Sequence, residues 1–177
     1  MTDTTHSSPV KPPRPGEERL ARDPAELAPD AGLVFIGHIE TPWQTPDACP
    51  RNARASDATA RVRLKPEYLP GLASIDSCTH VILLYWMHRA RRDLIVQAPS
   101  FAKGAHGCFA LRSPIRPNPV SLSVSELVER TDDGLIVRGI DCLNGTPLID
   151  IKPYFARTDS VAGASVGWFE REDDGGS

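Results

Sequence analysis

Val120-Ser121-Leu122-Ser123-Val124-Ser125 alternates apolar and hydroxyl side chains without a break. A period of two sends successive residues to opposite faces of an extended chain, so this run reads as a strand with two unlike sides. Shortly after it, Asp132-Asp133-Gly134 supplies the turn chemistry of a hairpin, and Leu135–Ile140 follows as the returning strand. Working outward, Ala60–Leu64 sets Arg61 and Arg63 against Val62 and Leu64, again with the strand period. Leu33–Ile39 is apolar and β-branched, and His80–Met87 is a continuous apolar run of strand length, expected to be central and covered on both faces. Asn144-Gly145 is a second turn, leading into Pro147–Ile151. Helical signal is thin: Leu69, Leu72 and Ile75 fit one face of a short helix after Pro66, and Pro99–His106 reads as a loop presenting Lys103, Gly104 and His106. Six or more short strands with turns between them predict a mainly β fold, a small antiparallel or mixed β-barrel with few short helices.

Charge and composition set the outer limits. The chain has 177 residues, 40% hydrophobic and 24% charged, enough for one core in one domain with tails. Met1–Asp30 holds four basic and six acidic residues and almost no large apolar group, so 1–30 is expected to be a disordered N-terminal tail. Residues 161–177 carry one basic and four acidic residues and read as an acidic C-terminal tail, which leaves 31–160 as the barrel domain. The net charge of −3 gives no overall nucleic-acid signature. Two local clusters do stand out: Arg51, Arg54, Arg61, Arg63 and Lys65, then His88, Arg89, Arg91 and Arg92. Such runs are either solvated faces or phosphate-binding patches. Cys49, Cys78, Cys108 and Cys142 have no zinc-type spacing, and Cys108 and Cys142 lie in apolar runs as small buried hydrophobes. No metal site is expected. The N-terminus lacks the apolar core of a signal peptide, and the longest apolar run is too short to span a bilayer, so the expected location is cytoplasmic with no membrane partner.

The segment Arg112-Ser113-Pro114-Ile115-Arg116-Pro117-Asn118-Pro119 joins two apolar stretches through three prolines and two arginines. Proline fixes φ and has no amide hydrogen, and the residue before it is driven extended, so the loop should be stiff. Arg112 has a planar fork that suits a carboxylate ligand, or equally an ion pair with an aspartate at a strand end.

Phe109-Ala110-Leu111-Arg112-Ser113 with Arg116-Pro117-Asn118-Pro119 resembles the TrmO/TsaA-like family of S-adenosylmethionine-dependent methyltransferases. Ile36–Trp43, His80–His88 and Asn144–Tyr154 fit the same resemblance in the family's order, which spans about residues 33 to 155. No G-x-G-x-x-G follows a strand, so a Rossmann methyltransferase is disfavoured. The resemblance implies a β-barrel homodimer that binds S-adenosyl-L-methionine and methylates N6 of threonylcarbamoyladenosine beside the anticodon of tRNA. It assigns Pro50, Arg51, Asn52, His88, Arg89, Arg112, Leu122, Asp141, Asn144, Gly145 and Thr146 to the cofactor. Asn52 and Arg89 each replace a usual glutamine, and Ser121 replaces a usual glycine. Arg54, Arg91, Arg92 and Arg116 are the expected RNA contacts. Asp150 and Tyr154 have the chemistry for proton handling, but the sequence does not fix the general base. A binding module without turnover, or a methyltransferase for a small molecule, uses the same cofactor residues.

Overall fold

A computed structural model of the chain describes residues 12–53 and 56–169. The strands in chain order are β1 (Glu18–Arg19), β2 (Gly37–Glu40), β3 (Thr59–Leu64), β4 (His80–Trp86), β5 (Leu94–Gln97), β6 (His106–Gly107), β7 (Val120–Thr131), β8 (Gly134–Arg138) and β9 (Thr146–Pro153). Among the described residues two compact units form: one gathers 12–28, 90–118 and 165–169, the other 29–89 and 119–164. Within the expected domain at 31–160, residues 90–118 thus group with the smaller unit.

The larger unit is a closed antiparallel barrel in the order β2-β3-β8-β7-β4-β9. β7 and β8 form the predicted hairpin around Asp132-Asp133, with Thr131 opposite Gly134. β3 alternates as its sequence dictates: Ala60 and Val62 are buried, and Arg61 and Arg63 face out. Two glycines let neighbours close around β3. A Cβ on Gly37 would lie 1.9 Å from the Arg63 carbonyl oxygen, and one on Gly134, at φ +155°, would lie 1.8 Å from that of Val62. Ile39, Val62, Val81, Leu83, Leu135, Val137 and Leu148 fill the interior at full burial. Each such side chain stabilises by about 1.5–3 kcal/mol relative to exposure.

β7 uses its alternation in the less familiar sense. Ser123 and Ser125 point into the barrel, beside Leu83 and Val81 of β4, while Leu122 and Val124 are each 42% exposed on the outside. β4 is central, between β7 and β9, but only one of its faces is fully buried: Val81, Leu83 and Tyr85 face in, and Ile82, Leu84 and Trp86 are half-buried outside. The apolar stretch Leu33–Ile39 yields a strand only from Gly37, and Leu33 and Val34 are exposed. The helix expected after Pro66 is a 3-10 segment, Pro66–Leu72, with Leu72 buried.

The smaller unit holds a three-stranded sheet in the order β1-β5-β6. Its first strand lies within the expected N-terminal tail. Residues 1–11 lie outside the described residues, but Glu18 and Arg19 pair with Val96 and Leu94, and the Leu20 amide donates to the Asp93 carbonyl at 2.7 Å. The C-terminal segment is likewise engaged as far as it is described, since Trp168 lies on His106 with ring centroids 4.1 Å apart. His106, expected in a loop, belongs to β6. The segment before the proline loop is a 3-10 turn, Cys108–Ala110, rather than a strand.

Candidate functional site

On the barrel, the link between β8 and β9 is tied down almost residue by residue. The Gly139 carbonyl accepts from Ser125 Oγ at 2.9 Å, that of Asp141 from Cys49 Sγ at 2.9 Å, and that of Cys142 from Thr41 Oγ1 at 3.0 Å. The Leu143 carbonyl accepts from Thr146 Oγ1 at 2.7 Å. The amides of Asn144 and Gly145 donate to the carbonyls of Trp43 at 2.7 Å and Ile39 at 2.8 Å. The Asn144 side chain accepts from the Thr41 amide at 3.1 Å. Gly145, at φ +77°, makes the turn that an L side chain would strain. Buried carbonyls left without a donor are costly, so these short hydroxyl and thiol donors fix a loop that has little regular structure.

Asp141 is the charged group on this loop. The Tyr85 hydroxyl, in a side chain 2% exposed, donates to Asp141 Oδ1 at 3.1 Å and pairs with Ser123 Oγ at 2.8 Å. Burial, then the Asp141 carboxylate, raises the Tyr85 pKa, so the phenol stays protonated. Burial first and Asp141 second push the Cys49 thiol up to about 11, and burial above all pushes Cys142 to about 12. Neither thiol is a thiolate at neutral pH, so neither is a nucleophile here.

Two further segments reach this part of the barrel. Pro50, Arg51 and Asn52 directly follow Cys49, with Arg51 and Asn52 exposed. His88 and Arg89 follow the end of β4, and Arg89 Nη1 reaches the Gln44 carbonyl at 3.5 Å. His88 is exposed as a residue but its ring is partly desolvated. That desolvation, then the Arg89 guanidinium, lowers its pKa and favours the neutral imidazole. Thr146 is fully buried, and its hydroxyl is spent on the loop. Leu122 sits on the outer face, away from the interior that holds Tyr85 and Ser123.

Asp150 and Tyr154, the expected proton handlers, are not brought to this loop. Asp150 faces out and pairs with Lys152 at 2.6 Å. Tyr154 lies beyond the far end of the eight-residue β9, a strand about 25 Å long, with its amide on the His80 carbonyl.

In the smaller unit, the proline loop is held by its own arginines. Arg116 donates from Nε to the Ser113 carbonyl at 3.0 Å and from Nη2 to those of Cys108 at 2.9 Å and Leu111. Arg92 Nε donates to the Pro117 carbonyl, and Gln97 Nε2 to that of Ile115. Arg91 is paired with Asp93 at 2.8 Å, and this holds the Asp93 carboxyl below its usual range. Three of the four arginines expected to meet RNA thus have internal structural work, and Arg54 lies outside the described residues. On the barrel, Arg61 and Arg63 are also matched, both to Asp133 at 2.7 and 2.9 Å. Here the clustered charge reads as an ion-paired face. Arg112 is exposed. Among the described residues no group of three or more His, Cys, Asp or Glu could hold a metal ion, and no helix is long and apolar enough to cross a membrane.

Sequence reasoning missed Thr41, Trp43, Cys49, Tyr85, Ser123 and Ser125 as builders of the site. A signal for two of them was present: Ser123 and Ser125 share one phase of the β7 alternation, which marks a polar strip along one face.

A family model described as the tRNA-methyltransferase O N-terminal domain matches residues 38–160. The chain belongs to this family. A protein of Archaeoglobus fulgidus named as a probable S-adenosyl-L-methionine-binding protein is 45% identical over 138 residues, covering 78% of this chain and 38% of its own length. A second A. fulgidus relative, named S-adenosyl-L-methionine-binding protein, is 41% identical over 129 residues, 73% of this chain and 93% of its own. The human tRNA (adenine(37)-N6)-methyltransferase is 31% identical over 135 residues, 71% of this chain and 30% of its own. The crystal structure of TrmO from Pseudomonas aeruginosa superposes with a TM-score of 0.65 at 33% identity, covering 77% of this chain and 62% of that one. The chain spans well under half of the first relative and less than two thirds of the solved structure. The barrel expected from the sequence is thus matched in both structure and family.

Proposed function

We propose that this protein binds S-adenosyl-L-methionine and transfers its methyl group to a nitrogen of an adenine in tRNA. The observation that carries the reading is the pinned loop Gly139–Gly145, which presents the Asp141 carboxylate and the Asn144-Gly145 turn within a chain of this family. Asp141 has hydroxyl and cationic groups on the donor as natural partners. The segments Pro50–Asn52 and His88–Arg89 belong to the same unit as this loop.

In the reaction the acceptor nitrogen attacks the methyl carbon, the carbon–sulfur bond breaks, and the sulfonium leaves as a neutral thioether. The nitrogen's proton passes to a base. A site of this kind acts mainly by positioning, and near-attack geometry can supply several kcal/mol. The test is incubation with labelled donor and total tRNA, followed by nucleoside analysis. A labelled N6-methyl adenosine derivative is expected, and no transfer to any RNA would remove the tRNA reading.

A homodimer belongs to this proposal. The outer face of β4 and β7 aligns Ile82 with Val124 and Leu84 with Leu122, a continuous apolar strip on a charged protein. A second copy of the same strip is its proposed cover. Val124→Glu should halve the mass measured by sedimentation.

A second reading has its own support in the names of the archaeal relatives, which state binding and no transfer. In that case the protein is a binding module, and donor binds with no methyl transfer to tRNA or to small molecules.

A further inference from the structure

Asp141 is half-buried at the mouth of the barrel, yet no cation pairs with it among the described residues. A desolvated carboxylate without a counter-charge is costly unless hydrogen bonds or a ligand compensate. Its one side-chain hydrogen bond in the described structure is the one that Tyr85 gives to Oδ1. Oδ2 has no partner among the described residues. The bond from Tyr85 is also different in kind from the others around this loop. Ser125, Cys49, Thr41 and Thr146 all hold main-chain carbonyls, and these already fix the path of the chain. The Asp141 carbonyl itself is taken by Cys49. The Tyr85 hydroxyl, reaching from the buried face of β4, could be satisfied by Ser123 alone at 2.8 Å. It instead spends a second hydrogen bond on a side-chain carboxylate, where it restricts rotation and leaves Oδ2 without a hydrogen bond among the described residues.

We propose that Tyr85 is a positioning residue for the methyl donor, acting through Asp141: the phenol fixes Oδ1 so that Oδ2 is held ready for the donor's hydroxyl or cationic groups. Tyr85 itself touches no substrate. The inference rests on the proposed donor site, and deepens it by naming what orients that site's carboxylate.

The test uses the full chain and S-adenosylhomocysteine as the probe, with binding measured by calorimetry and folding by thermal melts. Tyr85→Phe keeps the ring in the barrel and removes only the hydroxyl. It should weaken probe binding about tenfold, the scale of a lost hydrogen bond to a charged group. Asp141→Ala should also weaken binding, and adding Tyr85→Phe to it should change the affinity by less than about twofold, since the residue through which Tyr85 acts is gone. Ser123→Ala is the structural control: it removes the other bond of the phenol and should lower the melting temperature while leaving affinity within about twofold. A Tyr85→Phe protein that melts lower but binds with unchanged affinity would overturn the inference, because the hydroxyl would then serve the core alone. An undiminished loss in the Asp141→Ala background would overturn it too, by showing that Tyr85 acts elsewhere. If the unaltered protein does not bind the probe, the proposed function falls and this inference falls with it.

Discussion

The loop Gly139–Gly145 on the barrel and the loop Leu111–Asn118 on the smaller unit solve one problem in two ways. Each is irregular, each carries several carbonyls that need donors, and each is held by side chains. On the barrel the donors are short and neutral: two threonines, a serine, a cysteine. They reach the loop because β2 ends and β9 begins beside it, and because β8 stops at Arg138, opposite the middle of β7. On the smaller unit the donors are long, and mostly charged: Arg116, Arg92 and Gln97. Proline explains the difference. Pro114 and Pro117 have no amide hydrogen, so this loop has more acceptors than it can satisfy itself. A guanidinium with five donors in a fixed fork can gather several carbonyls at once, and Arg116 takes three. Arginine beside proline in a loop is therefore first a reading about the loop's own main chain, and only second about a phosphate.

The largest effect expected from breaking this scheme is at Arg116. Arg116→Met should destabilise by about 3 kcal/mol in urea unfolding, since three carbonyls lose their donor together. Arg116→Lys should recover little of it, because one ammonium cannot reproduce the fork. Arg112, exposed on the same loop, is the arginine we propose for the donor's carboxylate. S-adenosylmethionine at a hundredfold excess over its dissociation constant should stabilise the protein by about 2.7 kcal/mol. Arg112→Ala should abolish most of the resulting shift in melting temperature, measured against that variant's own unliganded melt. A full shift in that variant would remove Arg112 from the donor site. On the barrel loop, Thr41→Val removes one neutral donor and should cost about 1–2 kcal/mol, equally at low and high salt. The smallest effect concerns pH. The Arg14 side chain, against an opposing effect of burial, holds the Glu17 carboxyl down at about 2 from an ordinary 4.5. A depressed carboxyl stabilises the fold above its unfolded value and loses that contribution as pH falls from about 4.5 towards 2. Glu17→Gln should flatten the acid limb of a stability–pH curve within that window: the variant is less stable at neutral pH, and the two curves converge as pH falls towards 2.

Much of the barrel was legible because its strands obey simple periods. β3 shows this in its alternation of Val62 with Arg61 and Arg63, and the β7–β8 hairpin in its Asp132-Asp133-Gly134 turn. The sense of the β7 alternation was not legible. Val and Leu usually turn inward, yet here the interior near Asp141 needs hydroxyls, and the apolar side chains are left for the outer face. The smaller unit was hidden for another reason. Glu18 and Arg19 join β5 through main-chain bonds, which leave no trace in side-chain pattern, and their charge resembles that of an unattached tail. In the Gly139–Gly145 loop, the Asn144-Gly145 turn was readable in the sequence. Its supports came from Thr41, Cys49 and Tyr85, 56 to 103 residues away in sequence, and only the closure of the barrel brings such positions together.

The same closure bears on how the molecule would clump. A barrel has no outermost strand, so the larger unit offers other chains no open row of main-chain donors and acceptors. The sheet β1-β5-β6 does have margins, and β1 is only two residues long. It shields one side of β5, whose Leu94-Ile95-Val96 is the kind of apolar extended segment that recruits like strands. Trimming the chain back past Arg19 would uncover that side and turn a protected strand into a seed for edge-to-edge association.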